Sequence, residues 1–149
     1  MKGFDFKLQT VLELKSKIEE QRKIELGFAT QKYEKQLLIL KDLFARKSDA
    51  NKMKKKLVES TVNIVEFANY TNYIERLDKD IVKQEETVKK EEENLNLAKK
   101  NLYDVMQERK AYEKLKEKKL EIYKKEMLSK EQKNVDEIVT YNHSKNRED

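Results

Sequence analysis

The sequence contains no proline, no cysteine and no tryptophan, and its only glycines are Gly3 and Gly27. Without proline nothing removes a donor from a helix ladder, and so little glycine leaves few weak points in one. Without cysteine there is no disulfide framework and no thiolate chemistry. The single histidine, His143, lies in a polar tail where a solvated ring is the simpler reading. Long apolar runs are missing too: no stretch approaches the ~18 residues that span a bilayer. Met1 to Leu12 alternates apolar and polar residues and has no signal-peptide core. The expectation is a soluble, cytosolic protein with no direct membrane span.

What the chain has in quantity is charge. Of 149 residues 42% are charged and only 8% aromatic, and the mean hydropathy is −1.01. That is too polar for a compact globule of this length; it fits helices that share a narrow seam, or disorder. The net charge of +5 is the remainder of 34 basic and 29 acidic residues mixed along the chain. Mixed charge describes solvated helix faces with i,i+4 pairing better than it describes a nucleic-acid footprint.

Between Phe67 and Tyr112, alternating steps of three and four land on Phe67, Tyr70, Ile74, Leu77, Ile81, Gln84, Val88, Glu91, Leu95, Ala98, Leu102, Val105, Arg109 and Tyr112. Eleven of these fourteen are apolar, more than twice what a 37% apolar composition supplies at random. A mean spacing of 3.5 residues defines one winding seam that a second helix must cover. The sustained heptads argue against disorder. The polar seam residues Gln84, Glu91 and Arg109 cost stability but penalise wrong registers.

Upstream, apolar residues recur at Leu8, Val11, Leu12, Leu14 and Ile18, thin out across Glu19 to Glu25, and resume at Leu26, Ala29, Tyr33, Leu37, Leu40, Leu43 and Phe44. Leu26, Tyr33 and Leu40 share one phase and Val11 and Ile18 another, which predicts a stutter near Gln21–Glu25. Gly27, just beyond it, adds local give. With Asp5 as N-cap, a first helix is expected over about residues 6–57. Asn63 followed by Glu66 reads as a capping-box variant, and Val62 with Phe67 as a hydrophobic staple. A turn over about 58–63 and a second helix over about 64–141 follow, with a frayed tail at 142–149.

The fold expected is therefore all-α: one coiled-coil domain over 1–149, an elongated antiparallel two-helix hairpin with a C-terminal helical overhang. The turn sets a register with Leu40 near Ile81, Leu26 near Leu95 and Leu8 near Glu113. At ~1.5 Å per residue the arms are roughly 75 and 115 Å long, leaving an overhang of some 35–40 Å. That overhang keeps an apolar stripe, Leu120, Tyr123, Met127, Leu128, Val135 and Ile138, with no cis partner. Such a stripe either frays, self-associates or docks another protein, here together with Phe4, Phe6 and Leu8.

Catalytic signatures are missing: there is no phosphate-binding glycine loop, no HExxH and no nucleophile elbow. Glu91, Glu92 and Glu93 point in different directions around a helix and cannot chelate together. No cofactor is expected. Two basic runs stand out. Lys52, Lys54, Lys55 and Lys56 lie near the turn; ordinary surface charge is the simpler reading of both runs, and this cleaner one could meet an acidic partner or a membrane surface. Lys114, Lys116, Lys118, Lys119, Lys124 and Lys125 are blunted by Glu113, Glu117, Glu121 and Glu126. Neither run is interleaved with a stacking aromatic platform, so nucleic acid is not an expected partner.

Three segments carry a resemblance. Phe4-x-Phe6-x-Leu8-Gln9-x-Val11-Leu12, the run Asn69 to Leu77, and the closing Glu131 to Glu137 resemble, in that order, the flagellar export protein FliJ family. The resemblance implies a non-enzymatic stalk similar to the γ-subunit coiled coil of rotary ATP synthases. It would insert into the hexameric flagellar export ATPase (FliI), promote its assembly, contact the membrane export gate (FlhA) and bind export chaperones. It would work in the cytoplasm, peripherally associated with the inner face of the membrane at the flagellar base. The implied ATPase-binding residues are Phe4, Phe6, Leu8, Gln132, Lys133, Asp136 and Glu137. The implied gate-binding residues are Gln36, Leu40, Leu43, Tyr73, Leu77, Asp80 and Gln84, although Leu40, Leu77 and Gln84 also fall on the predicted seams. A generic coiled-coil tether or prefoldin-like holdase with no ATPase partner is the rival reading. An RNA-binding arm is the third, which the balanced charge disfavours.

Overall fold

With few helix breakers and a seam that repeats every 3.5 residues, the chain gains most by pairing one long helix against another. The computed structural model describes residues 3–60 and 63–148. Helix α1 spans Gln9–Glu59 and α2 spans Ile64–Glu148. They pack as an antiparallel two-helix hairpin, and no strand occurs among the described residues.

The contacts divide into two units. The first comprises Met1–Ile18 and Asp104–Asp149; the second comprises Glu19–Tyr103. In the second, Ala50, Leu77, Ile81, Val88 and Leu95 are buried, with Leu77 only 3% exposed. Gln84 reaches across to Gln36, Lys47 pairs with Asp78 at 2.6 Å, and the Lys54 ammonium lies 4.9 Å from the Phe67 ring centre. These contacts run in the antiparallel sense that the turn predicts. In the first unit Phe6, Leu12 and Val105 are buried, and Lys15 pairs with Glu108 at 2.7 Å.

On α2 every one of the fourteen predicted seam positions is buried or half-buried. On α1 the predicted stutter is absent. Leu12, Lys15, Glu19, Arg22, Leu26, Ala29, Tyr33, Gln36, Leu40, Leu43, Lys47, Ala50, Lys54 and Leu57 are all at least half-buried, at unbroken steps of three and four. The phase looked broken because the seam runs through charged residues. Their long stems cover the groove while their heads reach an opposite charge, as Lys15, Arg22 and Lys47 do, or an aromatic face, as Lys54 does. Glu19 is 6% exposed, with Lys23 one turn on at 3.8 Å.

The helix ends also depart from expectation. Asp5 does not cap α1. Phe6 is drawn into the core, Lys7 and Leu8 turn, and the Gln9 amide donates to the Phe6 carbonyl at 3.0 Å. Burial of an aromatic ring has overridden local capping preference. At the start of α2, Asn63 Oδ1 accepts from the amides of Val65 (3.0 Å) and Glu66 (3.4 Å), a cap that contributes about 1 kcal/mol. Glu66 returns no bond to Asn63 but sits in the first turn, where the helix dipole favours a carboxylate. Within the turn, Thr61 and Val62, and with Val62 the proposed staple, lie outside the described residues. The tail expected to fray is helical through Glu148. No proline or glycine stops it, and Lys145 and Arg147 suit the negative end of the dipole.

Candidate functional site

The first unit joins the N-terminal segment and the start of α1 to the C-terminal part of α2. Residues 3–6 run alongside α2 without helical structure. The Phe4 ring meets Tyr123 with centroids 5.6 Å apart at 50°, a tilted contact between ring edge and face. Phe6 is 7% exposed and Leu8 36%. Phe4, Phe6 and Leu8 line a groove of about 710 Å³ with Leu115, Ile122 and Tyr123, rimmed by Lys119 and Glu126. Phe6 is thus committed to packing, and of the three N-terminal apolar residues Leu8 is the most available to a partner.

Beyond Met127 every described side chain of α2 is exposed. At 100° per residue, Leu128, Val135, Ile138 and Val139 fall on one face. They are 56–66% exposed. Of the residues implied by resemblance, Gln132 and Asp136 flank this face, while Lys133 and Glu137 project from the opposite side of the helix. The set of seven predicted as one site therefore divides: two aromatics packed inward, Leu8 at the exposed edge of their groove, two polar residues beside an apolar stripe, and two behind it. Val139, Leu115 and Ile122 were missed by sequence reasoning; the apolar stripe passes within two residues of Val139 and Ile122, whereas Leu115 falls between Tyr112 and Leu120, where the regular spacing lapses.

The gate-patch residues lie in the second unit and mostly serve the interhelical seam. Gln84 Nε2 donates to the Gln36 carbonyl at 2.9 Å and to Gln36 Oε1 at 2.8 Å. Leu77 is buried, and Leu40 and Leu43 are half-buried. Tyr73 is half-buried with the Arg76 guanidinium 5.9 Å from its ring centre, and Asp80 is exposed. Ile24, Phe28, Leu38 and Ile39 form a separate exposed apolar face on the outer side of α1, 39–66% exposed.

Electrostatics add one perturbed group. Lys15 is raised above the ordinary lysine value of 10.5, chiefly by its hydrogen bond to Glu108 and against a smaller cost of desolvation. Among the described residues no cluster of three or more His, Cys, Asp or Glu side chains could hold a metal ion. No helix among them is long and apolar enough to cross a membrane.

The fold defines the class: an all-α antiparallel two-helix hairpin with exposed apolar helix faces. The chain matches the family described as Flagellar FliJ protein over residues 4–148, and it belongs to that family. It is accordingly a component of flagellar protein export. No curated protein and no solved structure matches the chain.

Proposed function

We propose that this chain is the stalk of the flagellar export ATPase. The end formed by Phe4, Phe6, Leu8 and the last turns of α2 would enter the hexameric ATPase, FliI. The seam region around Tyr73 and Asp80 would contact the export gate, FlhA, and export chaperones would bind elsewhere on the helices. The protein would act at the inner face of the membrane at the flagellar base, without catalysing a reaction itself. The observation that carries this reading is the face of Leu128, Val135, Ile138 and Val139, which none of the described residues covers. Full burial of such a side chain from full exposure contributes ~1.5–3 kcal/mol, and these four, already partly covered, would each add less than that against the entropy cost of binding. An asymmetric insert in a near-six-fold ring touches each subunit differently and so biases their nucleotide states.

The test is stimulation of the cognate ATPase by the purified protein. Val135→Asp with Ile138→Asp, and separately truncation after Tyr123, should abolish stimulation while helicity is retained per residue. Full stimulation by either variant rejects the docking assignment. The tether or holdase reading predicts a stable homo-oligomer by light scattering and no effect on the ATPase.

A further inference from the structure

The hairpin end of the second unit carries a surface of different character. Over the last two turns of α1 and the first of α2, Met53, Val58, Ile64 and Val65 are 46, 58, 78 and 68% exposed. Lys52, Lys55 and Lys56 are exposed among them, and no carboxylate of the described residues pairs with any of the three. Lys54 is partly withdrawn, its ammonium resting over Phe67. Glu59 and Glu66 are the carboxylates on this end, and both are exposed. The partnerless stripe at the far end of α2 differs: Lys130, Lys133, Lys145 and Arg147 alternate with Glu131, Asp136 and Glu137.

We infer that the hairpin end binds an anionic lipid bilayer, with Ile64 and Val65 dipping into the interface and Lys52, Lys55 and Lys56 meeting lipid phosphates. Apolar side chains ringed by unpaired lysines match a surface that is negative outside and hydrocarbon beneath. An acidic protein would satisfy the lysines but leave Ile64 and Val65 without a hydrocarbon counterpart. No helix is needed across the bilayer, and none among the described residues is long and apolar enough to cross it. The inference stands on this end of the hairpin alone and is independent of ATPase coupling, because its assay contains no ATPase.

The experiment is co-sedimentation of the full chain with vesicles of 70:30 phosphatidylcholine:phosphatidylglycerol, against pure phosphatidylcholine, at low and high salt. Binding to the anionic vesicles at low salt, falling steeply as salt rises, is the expected result. Lys52→Gln/Lys55→Gln/Lys56→Gln should weaken it roughly a hundredfold, at about fivefold per lysine. Ile64→Ser/Val65→Ser should weaken binding and leave the salt dependence unchanged. Lys114→Gln/Lys118→Gln/Lys124→Gln, in the basic run interleaved with glutamates, should leave binding within twofold. Circular dichroism of each variant confirms that the helices persist. No preference for anionic vesicles, or equal losses from the two lysine triples, overturns the inference. Tighter binding to a polyglutamate peptide than to the vesicles overturns it in favour of an acidic protein partner.

Discussion

Gln84 and Gln36 face each other across the seam, and the Gln84 amide donates to both the backbone carbonyl and the side-chain oxygen of Gln36. Sliding one helix by a single turn would put Tyr33 or Leu40 in place of Gln36 and remove the side-chain amide oxygen that accepts from Gln84. The pair therefore sets register at some expense of stability. Gln84→Ala should lower stability by about 1 kcal/mol, because it strands a half-buried partner. Gln36→Leu combined with Gln84→Leu should recover that loss or exceed it. Urea unfolding followed by circular dichroism separates the cases. A double variant weaker than the single one would mean the pair is a net source of stability rather than a register lock.

Phe6 anchors the N-terminal segment against α2. Phe6→Ala should cost about 3 kcal/mol within the first unit, at the low end for a buried ring because the site is at a chain end. Hydrogen exchange should accelerate at Leu115 to Tyr123 and stay unchanged around Leu77 and Ile81. Uniform acceleration along both helices would contradict a local anchor.

Gly27 sits in mid-helix, and a β-carbon built there meets nothing within 4 Å. Its backbone is ordinary helix without positive φ. Gly27→Ala should therefore raise stability by about 0.5–1 kcal/mol through reduced freedom of the unfolded chain. A lower thermal midpoint would show that Gly27 is required for a reason other than backbone geometry.

The Lys15–Glu108 ion pair carries a pH signature. Because the folded state raises the lysine above its ordinary 10.5, its contribution is fully present below that value and is lost as pH climbs through the raised one. The stability difference between the native chain and Lys15→Gln should be flat from pH 7 to 9 and shrink only in more alkaline solution. A difference that already shrinks between pH 7 and 9 would mean that another group controls it.

The α2 seam was legible in the sequence because its knobs are mostly apolar, so counting hydrophobic spacing found every position from Phe67 to Tyr112. The α1 seam was only half legible. Lys15, Glu19, Arg22, Gln36, Lys47 and Lys54 occupy it, and a count of apolar residues sees gaps and infers a change of phase. Asn63 was readable as a cap because capping is local, whereas the start of α1 depended on Phe6 finding a distant helix. The candidate site divides the same way. The Leu128 to Ile138 face followed from periodicity, but resemblance could not separate Phe6, held by packing, from Leu8, left open. Nor could it show that Gln132 and Lys133 point to different sides.

Among the described residues no large side chain is completely shut off from water. Strength here is distributed in thin layers, none of them a keystone. Heating should open such a molecule like a zip over a broad interval, and one damaged layer should shift the midpoint without collapsing the rest. Seams assembled this way tolerate sequence drift along most of their length, provided that the exposed faces keep their chemistry.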